Sequence, residues 1–136
     1  MRVLALDYGS ARCGCAVSDP TGVLATPLEP VLAPGSRRGL HRIAELVEEL
    51  GAERVIVGLP LTLAGRDSDQ TRVTREFADT LARRLRVPVE LYDERFTTRI
   101  AQLDLAGARA SEDSRAAAHL LSSWLDSRTA GGVDRA

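Results

Sequence analysis

The fold is decided largely by one stretch, Val87–Thr98, which reads VPVELYDERFTT. Its apolar first half, 87–92, predicts a buried β-strand, and helical periodicity begins just after its second half, with Thr97 or Thr98 as the N-cap. Asp93 and Glu94 therefore lie where a strand ends and a helix begins. Ligands bind at the carboxyl ends of strands in open α/β sheets. The alternative is a solvated turn in which Arg95 pairs with one acid.

Working outward, the chain predicts three strands followed by alternating helices and strands. The strands are expected at 2–8, 13–18, 23–31, 54–58 and 87–92. Prolines confine the third strand to a sheet edge. Four helices are expected. The first ends at a Gly51 cap, and the third covers 96–106. The second faces the core through Val73, Phe77, Leu81 and Leu85, and the last, capped by Ser111, through Ala116, Ala117, Leu120, Leu121, Trp124 and Leu125.

This order predicts an α/β fold built on a mixed five-stranded sheet. Three antiparallel strands come first, parallel βα units follow, and helices cover both faces. We expect a single domain over 1–128 and a frayed tail over 129–136.

Composition narrows the function classes. The chain has 136 residues, is 44% hydrophobic and carries a formal net charge of −1, with arginine as its only basic residue besides two histidines. There is thus no global basic field to hold nucleic acid. No apolar run approaches the roughly 20 residues that span a bilayer, and the early Asp7 argues against a signal peptide. Cys13 and Cys15 are expected to be buried small hydrophobes in a reducing cytoplasm, since no zinc or disulfide pattern accompanies them.

Acidic residues from three separate elements are predicted to converge. Asp7 closes the first strand beside a Gly9 turn, although an Asp there can also simply accept turn hydrogen bonds. Asp113 lies in the first turn of the last helix, where the helix dipole alone favours an acid, but its phase directs it toward the sheet. With Asp93 and Glu94, these acids would form an oxygen-rich site suited to Mg²⁺ or Mn²⁺. Two such ions support phosphodiester cleavage.

Four ordered motifs give the chain a resemblance to a known family. They are Asp7–Asp19 (DYGSARCGCAVSD), Gly58–Leu61 with Gly65 after it, Asp93–Thr98 (DERFTT), and Asp113 followed by Ala116-Ala117, Leu120-Leu121 and Trp124-Leu125-Asp126. In this order, from about Arg2 to Asp126, they resemble the YqgF/RuvX family.

The resemblance implies a ribonuclease-H-like fold and a cytoplasmic, metal-dependent nuclease that processes the 5′ end of pre-16S rRNA. By motif match, the catalytic and metal-binding acids would be Asp7, Glu94 and Asp113. Asp93 is adjacent to Glu94, and the sequence alone does not decide which of the two faces the metal. The arginines expected near the site mouth, where they could meet phosphates, are Arg12, Arg66, Arg95 and Arg99, although surface pairing with nearby acids is an equal alternative.

The chain also departs from that family's pattern. Ala11 stands where the family often has Lys, and the segment before Asp113 carries little basic charge, which weakens the expected grip on nucleic acid. A homodimer could supply basic strips from two chains, but the sequence does not show one.

Other functions remain open from the sequence. They are a Holliday junction resolvase acting on branched DNA and a non-catalytic RNA-binding ribosome-assembly factor. A kinase or ATPase of the actin type is disfavoured, because it needs a second lobe and a second phosphate hairpin.

Overall fold

The computed structural model describes residues 1–96 and 112–131. Its strands are β1 (Val3–Asp7), β2 (Arg12–Ser18), β3 (Ala25–Leu32), β4 (Arg54–Leu59) and β5 (Val89–Asp93). Its helices are α1 (Arg37–Leu50), α2 (Asp69–Arg84) and α3 (Glu112–Gly131), with a 3₁₀ turn at Glu94–Phe96 directly after β5. The helix predicted over 96–106, its cap at Thr97 or Thr98 and the Ser111 cap lie outside the described residues.

The five strands form one sheet in the order β3-β2-β1-β4-β5. The β1–β2 and β2–β3 pairs are antiparallel, and the β1–β4 and β4–β5 pairs are parallel. This confirms the predicted mixed α/β sheet. Because β1, β4 and β5 run parallel to one another, with β4 in the middle, the carboxyl ends of these three strands lie side by side at the same edge of the sheet. That edge carries Asp7 and Asp93, and Asp93 is in register with Leu59.

Helices cover both faces of the sheet, as predicted. On one face α1 and α2 pack against alternate strand residues, and on the other face α3 packs against the residues in between. The first core contains Leu4, Leu6, Val55, Val57, Ile43 and Phe77, and the second contains Val3, Ala5, Ile56, Ala117, Leu121 and Trp124. Cys13 and Cys15 are free and fully buried in the first core, which confirms their packing role.

Three details of the predicted packing were wrong. β5 is half-buried along its length rather than buried, because it is an edge strand. In α2, Val73 is exposed and Thr74 is buried instead. The Thr74 hydroxyl donates to Gln70 O, and this bond lets a polar side chain face the core. In α3, Ala116 is exposed and Ala118 is buried, while the other residues predicted to face inward are buried as expected: Ala117, Leu120, Leu121, Trp124 and Leu125.

The helix ends follow local sequence signals. Ser36 caps α1 by accepting from Gly39 N at 3.0 Å, and Gly51 ends it in the left-handed region with φ of 65°. The Gly51 cap was predicted. α3 extends to Gly131, beyond the predicted start of the tail at Thr129.

Candidate active site

Asp7 and Glu94 meet at the edge of the sheet where the parallel strands end. Asp7 is the last residue of β1, and Glu94 opens the 3₁₀ turn after β5, which is two strands away from β1 across β4. The pKa shifts of the two groups show that their carboxyl groups lie close enough to interact directly. Two carboxyl groups can hydrogen-bond only when one of them is protonated, so this contact disfavours the state in which both are ionised.

The electrostatics of the pair follow from this crowding. Burial raises the pKa of Glu94 to about 7, with further contributions from the charge of Asp7, the hydrogen bond to Asp7 and the charge of Asp93. The pKa of Asp7 is also raised, first by burial and then by the nearby charge of Asp113, while its hydrogen bond to Glu94 acts in the opposite direction. The pair therefore favours a bound positive charge, either a proton or a cation.

Asp113 completes the acidic edge from the other side, on the first turn of α3. Its side chain is 42% exposed and lies 3.7 Å from the guanidinium of Arg12, measured from Oδ2 to Nε. It is close enough to Asp7 to raise that group's pKa. The inward phase expected for Asp113 is thus realised only in part, because the fully buried side chain in this turn of α3 is that of the next residue, Ser114.

Gly14 sets the position of the first turn of α3. A β carbon on Gly14 would overlap the backbone carbonyl of Asp113, so the helix crosses β2 in direct contact with its backbone. The Ser114 hydroxyl also accepts from Cys15 N at 3.3 Å. Sequence reasoning assigned no role to Gly14 or Ser114, although a glycine between two buried strand residues is a sign of close approach by another element.

Gly58 makes the room that Glu94 occupies. A β carbon there would lie 2.8 Å from Glu94 Oε2 and 3.1 Å from the Leu120 side chain. The predicted contribution of the Gly58–Leu61 segment to the floor of the site therefore has a specific basis in the missing side chain of Gly58.

Asp93 binds Arg95. It accepts from Arg95 N at 2.9 Å, from Nε at 3.0 Å and from Nη2 at 2.7 Å. These hydrogen bonds hold the pKa of Asp93 below its usual value. The two adjacent acids thus have different partners: Asp93 pairs with a guanidinium and Glu94 pairs with Asp7.

The expected phosphate-contacting arginines have different positions. Arg12 lies beside Asp113, and Arg95 follows Glu94 and reaches the loop after β4 through the carbonyl of Leu63. Arg66 is exposed in that same loop. Arg99 lies outside the described residues.

A metal ion at this site would need oxygen ligands from several acidic side chains. Within residues 1–96 and 112–131, no three His, Cys, Asp or Glu side chains are arranged closely enough to hold one ion. The carboxylates of Asp7 and Glu94 are nonetheless the hard oxygen donors that Mg²⁺ and Mn²⁺ take, and Asp113 interacts electrostatically with Asp7. The residues present therefore fit such an ion, with Asp7 and Glu94 as the preformed part.

Sequence comparisons agree on one family. The family model described as "RuvX: Holliday junction resolvase" matches residues 1–127. A relative from Mycolicibacterium paratuberculosis, named "Putative pre-16S rRNA nuclease", is 50% identical over 137 residues, covering 95% of this chain and 82% of the relative. One from Mycobacterium leprae with the same name is 46% identical, covering 99% and 78%.

Solved structures agree on the fold. A structure titled "T. thermophilus RuvC in complex with Holliday junction substrate" matches with a TM-score of 0.67 at 17% identity, covering 96% of both chains. The fowlpox virus Holliday junction resolvase matches with a TM-score of 0.54 at 14% identity, covering 94% of this chain and all of that one. These likenesses confirm the expected ribonuclease-H-like fold. None of the described helices is long and apolar enough to cross a membrane.

Proposed function

This chain belongs to the RuvX family and is a nuclease, and we propose that it is a divalent-metal-dependent hydrolase of phosphodiester bonds in structured RNA. The step it would serve is the processing of pre-16S rRNA, since relatives that are 46–50% identical carry the name "Putative pre-16S rRNA nuclease". Processing at the 5′ end is the part of this proposal that comes from the family resemblance. The contact between Asp7 and Glu94 carries this proposal, since a half-buried pair of carboxylates at the strand ends can bind a cation.

The proposed roles divide among the acids. Asp7 and Glu94 would hold the ion, and Asp113 would join them from α3. When bound, Mg²⁺ or Mn²⁺ supplies Lewis acidity at a phosphoryl oxygen and lowers the pKa of a bound water. Asp93 has a different role in this proposal: it fixes Arg95 at the rim, through the hydrogen bonds it accepts from the guanidinium.

Arginines at the rim would position the backbone of the substrate. Arg12, Arg66 and Arg95 are candidates for phosphate contacts, and guanidinium groups bind phosphate oxygens through paired hydrogen bonds. The pairing of Arg95 with Asp93 and of Arg12 with Asp113 means that both guanidinium groups are held near the acids before a substrate arrives. A second copy of the chain would extend this strip, and light scattering of the purified protein tests for it.

We place this activity in the cytoplasm. The two cysteines are free and buried together in the core, as is usual where thiols stay reduced.

The decisive experiment compares two substrates side by side. The purified chain is incubated with a precursor 16S rRNA fragment and with a four-way DNA junction, each with Mg²⁺, with Mn²⁺ and with a chelator. We expect metal-dependent cleavage of the RNA that is lost in Asp7→Asn. Full activity in that variant would overturn the assigned site.

Other outcomes select other functions. Cleavage of the junction in preference to the RNA would favour the resolvase activity in the name of the family model. Tight RNA binding without cleavage under any divalent ion would favour a non-catalytic assembly factor.

A further inference from the structure

Leu63 is the most exposed large hydrophobic side chain in the described part of the chain, with 96% of its surface open to solvent. It lies in the loop that joins the end of β4 to α2, at the same sheet edge as Asp7 and Glu94. Single exposed leucines are ordinary on protein surfaces and need no explanation by themselves. The position and the rigidity of this leucine are what distinguish it.

The loop around Leu63 is a tight turn held by its own hydrogen bonds. Thr62 N donates to Arg66 O at 3.0 Å, and Gly65 N donates to Thr62 O at 2.8 Å. Arg66 N also donates to the Thr62 hydroxyl at 3.0 Å. Gly65 has φ of 79°, a conformation that glycine adopts without strain. These hydrogen bonds restrain the backbone on both sides of Leu63, and its side chain projects from this turn into solvent.

Arg95 links the Leu63 turn to the segment that carries Glu94. The guanidinium of Arg95 donates from Nη1 to Leu63 O at 3.4 Å, and it lies against Gly65, where a β carbon would be 3.2 Å from Nη1. The same guanidinium is anchored by Asp93, and Arg95 directly follows Glu94 in the chain. The position of Leu63 is thus coupled to the residues that flank the candidate active site.

An exposed leucine on a restrained turn, with guanidinium groups nearby, is suited to binding nucleic acid. Nucleic acids present phosphates, which guanidinium groups bind, next to base faces, against which apolar side chains pack. Leucine is among the residues that proteins insert at base steps, partly unstacking them and bending the duplex. The Arg95 guanidinium contacts the backbone of Leu63, and the exposed Arg66 lies three residues further along the same loop, so cationic groups are available close to this leucine.

We propose that Leu63 is a substrate-distorting wedge that packs against a nucleobase at a helix end or branch of the nucleic acid, so that the scissile phosphate reaches Asp7 and Glu94. This inference rests on the proposed nuclease function and deepens it, since it assigns a residue that selects structured over flexible substrates.

The test compares Leu63→Ala with the matched control Leu24→Ala. Leu24 is 66% exposed and lies in the turn before β3, at the opposite end of the sheet. Two readouts are measured for each variant: kcat/KM with Mg²⁺ on a branched RNA and on a short single-stranded RNA, and the fluorescence of 2-aminopurine at the branch point on binding in the presence of chelator.

We expect Leu63→Ala to lower kcat/KM on the branched RNA about tenfold, the loss expected when one leucine contact is removed. Cleavage of the single strand should not change, and Leu63→Met should restore activity. The 2-aminopurine signal should rise with the unaltered protein and with Leu24→Ala, and not with Leu63→Ala.

Each remaining outcome separates the wedge from the nuclease function. If the unaltered chain cleaves and Leu63→Ala matches Leu24→Ala in both readouts, the wedge is overturned and the nuclease stands. If nothing is cleaved but the fluorescence rise depends on Leu63, the nuclease function fails and the wedge stands as a binding feature. If the unaltered chain neither cleaves nor changes the fluorescence, both are overturned.

Discussion

Gly58 lies directly under the carboxylate of Glu94, and a β carbon at that position would come within 2.8 Å of Oε2. The β4 backbone therefore acts as the floor on which Glu94 rests beside Asp7. The Leu120 side chain closes the same space from α3, 3.1 Å from that β carbon, so Glu94 cannot be displaced toward the helix without repacking.

Gly58→Ala is expected to cost more activity than stability. The added methyl group should displace the flexible end of Glu94 away from Asp7, lowering kcat at least tenfold, while unfolding free energy falls by about 1–3 kcal/mol. The measurements are single-turnover cleavage and urea unfolding. Gly35→Ala is the matched control, because a β carbon at Gly35 meets its nearest neighbour at an ordinary 3.5 Å. Wild-type cleavage by Gly58→Ala would show that Glu94 does not need this floor.

The metal-free protein is expected to lose stability as pH rises. The pKa of Glu94 in the folded protein is about 7, above its ordinary value near 4.5. Its contribution to the free energy of unfolding is therefore fully present below pH 4.5 and is lost as pH rises through 7. The pKa of Asp7 is raised as well, and it acts in the same direction. In chelator, Tm should fall by a few degrees between pH 5 and pH 8 because of this pair.

Two comparisons make this pH effect specific. Glu94→Gln should flatten the change in Tm between pH 5 and pH 8. Asp93→Asn should reduce that change only slightly, because the pKa of Asp93 is lowered, so it stays ionised over that range, and its charge makes the smallest contribution to the raised pKa of Glu94. Mg²⁺ should raise Tm more at pH 8 than at pH 5, since the ion competes with the proton. An equal change in Tm with pH in Glu94→Gln and in the unaltered chain would contradict the assignment of this effect to Glu94.

The adjacent acids are expected to differ in their kinetic roles. Glu94→Gln removes a proposed ligand and should reduce cleavage about 100-fold or more, while Asp93→Asn only loosens Arg95 and should reduce it by about tenfold or less. The comparison is made at saturating Mg²⁺ on the same precursor RNA. A larger loss in Asp93→Asn would reverse the assignment of the pair.

The sequence predicted the sheet well because each strand is a short apolar run bounded by turn residues, and the position of Asp7 follows from the end of such a run. The choice between Asp93 and Glu94 could not be predicted, because alternation of side chains ends where β5 passes into the 3₁₀ turn. The sequence left open whether Arg95 pairs with one of the acids, and the structure shows that it pairs with Asp93.

The roles of Gly14 and Gly58 could not be predicted from the sequence for a different reason. Gly14 and Gly58 matter for what they lack, and the groups that fill their space come from α3 and from the turn after β5, far away in the chain. The exchange of Ala116 for Ala118 on the buried face of α3 likewise follows contact with β2: the Ser114 hydroxyl accepts from Cys15 N, and this bond helps to set the phase of the helix, which apolar spacing alone leaves open by one residue.

Gly14→Ala is expected to disturb the site through the helix rather than through an acid. Its β carbon would overlap the Asp113 carbonyl, which is backbone and cannot rotate away, so the first turn of α3 must shift off β2. The expected result is a loss of about 3 kcal/mol or more in unfolding free energy, together with a weaker response of Tm to Mg²⁺. Gly35→Ala again serves as the control. If Gly14→Ala unfolds at the wild-type urea concentration and binds Mg²⁺ normally, then α3 does not depend on this contact for its position.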